Sequence, residues 1–293
     1  MSAATLNKLV IIGVGLIGGS FALALRKAGA VRRITGVGRS QENMQRALKQ
    51  GVIDEIAPDM ASALHQADFV LLAMPVGQTA NIMAQIAPHL NSDTIVSDAG
   101  STKQDVVTAA RDQLGENLKN FVPGHPIAGA EQSGVLAAQN DLYTGKHVIL
   151  TPLAETRIEA VEKTAALWRA CGGSVSQMPV EEHDRILAAT SHLPHVLAFA
   201  LMNHLRNSTD SPENLLRFAG SGFRDFTRIA SSSPEMWRDI CLANRQALLQ
   251  ELAAFQNELN MLQTLLREEN GNALEQTFIQ ARRMREDWLN RQD

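Results

Sequence analysis

Residues 8–29 read KLVIIGVGLIGGSFALALRKAG: a β-branched run, a knot of glycines, then Ala and Leu at helical spacing. Gly13, Gly15 and Gly18 fit G-x-G-x-x-G, with a predicted strand before them and a predicted helix from about Leu16 to Ala28 after them. In that setting the first glycine makes the turn, the second lets backbone approach a pyrophosphate, and the third lets the helix pack on the strand. The helix N-terminus then faces the phosphates. The same motif also describes a tight turn without a ligand, so its surroundings decide.

Those surroundings are a nucleotide-binding pattern. RRITGVG precedes ENMQRALKQG, DFVLLAMP precedes GQTANIMAQIAPHL, and TIVSDAG precedes KQDVVTAARDQLG, while NFVPGHPI, KHVILTP and GSVSQMP supply further candidate strands. Continuous apolar strands separated by amphipathic helices predict an α/β domain, a Rossmann-like, doubly wound and mostly parallel sheet, over residues 1–179. From about Val180 the chain turns Leu/Ala/Gln-rich and helically periodic, which predicts an all-helical second domain over 180–293 after a short, stiff junction. Within it, Ser233 before Pro234 reads as an N-cap and Gly271 as a helix stop after LLREEN.

The bulk numbers restrict the function classes. The chain has 293 residues, 45% of them apolar, and a net charge of -4 without any Lys/Arg block, so small molecules rather than nucleic acid or an anionic membrane are the expected partners. Cys171 and Cys241 lie far apart without metal-ligand spacing, which fits a reducing cytoplasm. The opening residues lack a basic n-region and their apolar run is broken by glycines, so neither a signal peptide nor a membrane span is expected there, and no other segment reads as spanning length.

The second strand bears on the choice of dinucleotide. An NAD site usually carries an acid about 20 residues after the glycines, whereas an NADP site replaces it with a nearby Arg. Here the strand ends Gly38, Arg39, Ser40, without an acid, so NADP is favoured over NAD. Cofactor contacts are expected from Gly13, Gly15, Leu16, Ile17 and Gly18, from Arg39 and Ser40, and from Pro75 and Asp98 at the exits of later strands.

Candidate reacting residues fall at strand exits too. Ser101 followed by Gln104 reads as a helix capping box, which needs no substrate. His125 sits between Gly124 and Pro126, and the following proline restricts it to extended backbone. In the helical half, SHLPH offers His192 and His195, with Pro194 expected to kink the helix and turn one of them inward, and GSGFRDFTRIA offers Arg224 and Arg228. His192 and His195 lack a third ligand at fitting spacing, so no metal is expected.

Taken in order, GVGLIGGS, SDAGSTK, HPIAGAEQSG, SHLPHVLAFAL and GSGFRDFTRIASSSPEMW resemble the prephenate/arogenate dehydrogenase family of tyrosine biosynthesis, from Leu9 to about Trp237. The resemblance implies a Rossmann-like domain followed by a dimerising helical domain, and oxidative decarboxylation of a cyclohexadienyl substrate with NAD or NADP. It implies His125 as the acceptor of the ring-hydroxyl proton, Ser101 as its neighbour, Arg228 as the holder of a substrate carboxylate, and His195 and His192 as pocket residues. Glu131 is placed where its charge would favour an ammonium on the side chain. An ordinary histidine titrates near about pH 6.5, so an acid limb in that region is expected. Gly38 departs from the NAD-using relatives. Hydroxy-acid dehydrogenases of the 3-hydroxyisobutyrate type use a lysine in the helical domain, and residues 180–293 contain none. A non-catalytic NADP-binding redox sensor is the remaining alternative, and the polar set His125, Ser101 and Arg228 speaks against it. LANRQALLQELAAFQNELNMLQTLL shows more apolar surface than one thin helical layer can bury, so a homodimer through the helical half is expected.

Overall fold

A computed structural model describes residues 5–129, 132 and 134–291. Strands β1 (Leu6–Ile12), β2 (Val31–Val37), β3 (Glu55–Ile56), β4 (Phe69–Leu72), β5 (Ile95–Asp98) and β6 (Phe121–Val122) form one sheet in the order 3-2-1-4-5-6, with every pairing parallel. That order places a topological switch point between β1 and β4, where open α/β sheets bind ligands. Helices α1 (Leu16–Lys27), α2 (Gln41–Lys49), α3 (Met60–Leu64), α4 (Thr79–Ile86) and α5 (Gln104–Gln113) provide the crossovers.

The central strands are apolar throughout because both faces are covered. Leu9, Ile11, Phe69 and Leu71 share one core with Phe21, Leu25 and Trp168; the alternate residues Val10, Ile12, Val70 and Leu72 share the other with Met83, Ile86, Val106 and Trp237. A second, three-stranded sheet joins β7 (Gly124–Pro126), β8 (His147–Leu150) and β9 (Ser174–Gln177), with β7 antiparallel to β8 and β8 parallel to β9. Between β8 and β9 runs α6 (Ile158–Ala170).

Beyond β9 the chain is helical, with α7 (Val180–Leu187), α8 (Leu193–Arg206), α9 (Pro212–Leu216), α10 (Ser221–Thr227), α11 (Pro234–Ala243), α12 (Arg245–Arg267) and α13 (Gly271–Leu289). The compact units are Met1–Arg245 and Gln246–Asp293. The change of texture at residue 180 thus lies inside the first unit, because Val180, Trp237 and Ile240 share the sheet's second core. Ser233 caps α11 as expected, accepting from the Met236 N–H, with Pro234 in the first turn.

Three expectations need correction. Gly271 is not a helix stop: Glu269 takes the left-handed turn at φ +52°, and Asn270 caps α13, which Gly271 begins. Ser101 is not the cap of α5, which starts at Gln104; the carboxylate of Asp184 accepts from the N–H groups of Lys103 and Gln104, both at 2.9 Å. A partner from α7 satisfies the orphan donors that a capping box would otherwise have served. The run Val180–Arg206 is long and apolar enough to cross a membrane by length and composition. Its buried His183, Asp184 and His192 instead suit a helix that lines a polar site.

Candidate active site

The glycine turn after β1 meets the turn after β4. Gly13 has φ +97°, and a Cβ there would lie 2.7 Å from the Ala73 carbonyl carbon, so only glycine closes this approach. Gly18 packs on the strand, where a Cβ would come within 2.4 Å of the Gly13 oxygen; one on Gly15 would meet nothing within 4 Å. No side chain caps α1, which leaves the first-turn N–H groups to a ligand. Beside this turn a cavity of about 1100 Å³ is lined by Gly13, Gly15, Arg39, Ser40, Pro75 and their neighbours. The cradle fits a dinucleotide.

Of the expected cofactor residues, Leu16, Ile17, Gly18 and Asp98 are not among those lining this cavity. Gly18 serves packing, and the Ile17 carbonyl accepts from the Tyr143 hydroxyl at 2.6 Å. Asp98 is committed to the scaffold. Its Oδ2 accepts from the Gly100 N–H at 2.8 Å and pairs with the fully buried Lys103 ammonium, while Oδ1 accepts from the Gly124 N–H at 3.1 Å. That last bond fixes the residue before His125. A Cβ on Gly124 would stand 3.0 Å from the Asp98 carbonyl oxygen, so any side chain there would push β7 a few tenths of an ångström from the exit of β5.

His125, 8% exposed, is held extended in β7, opposite Ile149 of β8. Its Nδ1 lies 2.9 Å from Nε2 of His183, whose own Nδ1 lies 2.8 Å from Oδ1 of Asp184. Burial lowers the His125 pKa well below the usual histidine value, and electrostatic coupling to the His183 imidazole and the Lys103 ammonium works in the same direction. The acid limb expected near 6.5 is therefore displaced downward in the free protein. Burial pushes the Asp184 carboxyl up, but hydrogen bonds from His183, Gln104 and Lys103 outweigh it and hold the group below the ordinary range, ionised.

The other two histidines come from one distorted stretch of helix. Residues Ala188–His192 form a π-helical turn directly before Pro194 at the start of α8, the kind of local defect that re-aims side chains. His192 is fully buried, and burial lowers its pKa to about 4. The Asn244 amide NH2 donates to the Asp184 carbonyl at 2.7 Å and approaches His192 Nδ1 at 3.1 Å. His195 donates from Nδ1 to the Ser191 carbonyl at 2.8 Å and stacks on Trp237 with ring centroids 3.7 Å apart. Arg228, exposed at the end of α10, lies close enough for its charge to lower the His195 pKa, after burial. Ser101 is part-buried on the loop between Asp98 and α5. Glu131 lies outside the described residues.

Comparison with known proteins places this geometry. The family model described as "Prephenate dehydrogenase, nucleotide-binding domain" matches residues 21–177, and that described as "Prephenate dehydrogenase, dimerization domain" matches 179–280. The chain belongs to the prephenate dehydrogenase family. It is 39% identical to the prephenate dehydrogenase of Bacillus subtilis, over 96% of this chain and 76% of that protein. It is 36% identical to the cyclohexadienyl dehydrogenase of Zymomonas mobilis, over 94% of each. The crystal structure of the Aquifex aeolicus prephenate dehydrogenase in complex with hydroxyphenyl propionate and NAD+ matches with a TM-score of 0.90 and 38% identity, over 96% of this chain and 98% of that one.

In this prephenate dehydrogenase fold, sequence reasoning missed Lys103, His183, Asp184, Trp237 and Asn244. One signal was available: Val180, His183, Asp184 and Leu187 stand at the i, i+3, i+4 and i+7 positions of one helix face, and all four are buried. Two polar residues inside an apolar stripe mark a polar site rather than a solvated face.

Proposed function

We propose that this protein catalyses the oxidative decarboxylation of prephenate or arogenate, with His125 as general base and a nicotinamide dinucleotide held by the β1–α1 turn. The observation that carries the reading is a buried histidine, neutral at pH 7, on the strand that Asp98 ties to the exit of β5 in a sheet whose β1–α1 turn forms a dinucleotide cradle. When bound, the nicotinamide accepts the hydride from the ring carbon that bears the hydroxyl. His125 takes the hydroxyl proton as the C–O bond becomes a carbonyl. Loss of the ring carboxylate as CO2 sends its electron pair into the ring and onto that oxygen, which takes a proton back. The ring becomes aromatic, and the reaction is irreversible.

Arg228 holds a substrate carboxylate, with His195 and His192 beside it and Ser101 near His125. We take residues 1–179 as the dinucleotide-binding part and 180–293 as the part that binds substrate and dimerises. Exposed Leu249, Leu266, Phe278, Met284 and Trp288 on α12 and α13 support a homodimer. A cytoplasmic location goes with two free thiols, of which Cys171 is buried and inert, its pKa raised by that burial.

Initial rates with prephenate and arogenate, each with NAD and NADP, test the reading; no reduction of either cofactor would overturn it. Arg228→Ala is expected to raise the Michaelis constant for prephenate by about one to two decades, since truncating a charge partner of a bound anion costs about 2 kcal/mol or more. Equal weakening of cofactor binding would instead indicate misfolding.

The end of β2 favours NADP. Arg39 lines the cavity, whereas the Ser40 hydroxyl already accepts from the Asn43 N–H as the cap of α2. At Gly38 a Cβ would lie 2.6 Å from the Met44 sulfur, so an acid has no room there without repacking. The Aquifex aeolicus relative was solved with NAD+, which makes the cofactor comparison decisive. Arg39→Ala should weaken NADP by about 1.5 to 3 kcal/mol, the worth of a hydrogen bond to a charged group, and leave NAD nearly unchanged. A wild type that prefers NAD would reject this part of the proposal.

A further inference from the structure

We propose that His183 and Asp184 are positioning residues that hold His125 as its Nδ1–H tautomer, leaving Nε2 as the nitrogen that takes the substrate proton. The inference rests on the reading of His125 as the base, and it adds which atom acts and what selects it.

Donors and acceptors alternate along the buried chain from Asp184 through His183 to His125. Asp184 is ionised and already accepts two backbone N–H groups, so toward His183 it can only accept. His183 must therefore carry a proton on Nδ1, the atom 2.8 Å from that carboxylate. A neutral His183 with Nδ1–H has a bare Nε2. The contact at 2.9 Å between that nitrogen and His125 Nδ1 is then a hydrogen bond only if His125 Nδ1 is the donor. Neutral imidazole carries one N–H, so His125 Nε2 is left with its lone pair.

The anchor of the chain is over-determined. Asp184 is fastened at its side chain by the first turn of α5 and at its carbonyl by Asn244. Asn244 also bears on the tautomer of His192. Its amide must turn NH2 toward the Asp184 carbonyl, and its approach to His192 Nδ1 then requires a lone pair there, so His192 carries its proton on Nε2. His125 and His192 thus present opposite characters on Nε2, one a proton acceptor and the other a donor. The charged or titratable groups acting on His125 are His183, Lys103 and His192. When Nε2 takes the substrate proton, the Nε2–H bond forms as the substrate O–H bond breaks. The new positive charge sits at the end of a hydrogen-bonded chain that terminates in the Asp184 carboxylate, an arrangement of the same logic as a base oriented by a buried acid.

The test reads the tautomer directly in the intact protein. With 15N-labelled histidine, long-range proton–nitrogen correlation at neutral pH should show His125 with Nδ1 protonated and Nε2 bare. The reverse pattern, or a doubly protonated ring, would overturn the proposal, and neither reading depends on activity or on a variant folding. A pair of substitutions reads the consequence. His183→Gln keeps an amide oxygen able to accept from His125 Nδ1–H and should hold turnover within about tenfold, whereas His183→Leu removes the acceptor and should cost about a hundredfold or more, within the range of general-base catalysis. In both, the Michaelis constant for prephenate and the dissociation constant for cofactor should stay within about threefold, as expected of an interaction used in the transition state. Equal losses in Gln and Leu would sink the tautomer lock. Failure of the base assignment would show separately, as near-normal turnover in His125→Asn.

Discussion

His125→Asn is expected to lower turnover by about two to four decades, the usual worth of general-base catalysis. Asparagine keeps a hydrogen-bonding group of similar reach but cannot take a proton. Prephenate and cofactor should bind within a few-fold of wild type, because the lost interaction belongs to the transition state. The wild-type profile of kcat/KM, which reports the free enzyme, should hold its plateau down to a pH well below the ordinary histidine value of about 6.5 and fall only beyond it. The sign follows from burial: a desolvated imidazole resists protonation, so the neutral base persists into more acidic solution. A limb at or above the ordinary value would mean that His125 is solvated in the free enzyme. Near-normal turnover in the variant would leave it a structural residue of β7, with His195 as the next candidate base.

Lys103→Met is expected to destabilise the fold by about 3 to 5 kcal/mol, the usual cost of breaking one side of a buried ion pair. In a unit of 245 residues that corresponds to a loss of roughly 6 to 20 °C in Tm. The mechanism is the charge left behind: Asp98 and Lys103 are both buried, and without the ammonium the carboxylate keeps only the N–H groups of Gly100 and Gly124. Adding Asp98→Asn to Lys103→Met should recover a substantial part of the loss, because an amide has no uncompensated charge. Thermal or urea unfolding of the single and double variants checks this. No recovery would assign the cost to packing around the lysine stem. The Lys103 charge also helps hold the His125 pKa down, so the acid limb of the single variant should move upward.

The alternation of strands and helices, the glycine turn and the places of Arg39 just after β2 and His125 in β7 were legible because each rests on local pattern. β-branched runs, helical spacing and glycine at fixed offsets survive in the linear chain. The support of the base was not legible in that way. His183 lies 58 residues from His125, and Asn244 lies 60 from Asp184. Such distances are closed only by the packing of α7 and α11 on the sheet domain. Ser101 shows the opposite error: a local signal for a cap was present, but a distant carboxylate with two lone-pair-bearing oxygens displaced it. Gly271 failed for a similar reason, since Glu269 tolerates the left-handed turn that glycine was expected to provide.

The π-helical turn at Ala188–His192 makes this segment unforgiving of length changes. Such a turn holds one residue more than a regular helix would over the same rise. Removing a single residue there would restore regular i to i+4 bonding. Everything beyond would rotate by about 100° about the helix axis relative to α7, the angular step of one residue at 3.6 per turn. His183 would keep its place against Asp184, while the His195 ring would swing off Trp237. Sequences that share this active site should therefore tolerate changes of side chain at the less buried positions of this turn, such as Thr190, while they hold the number of residues between Leu187 and Pro194 constant.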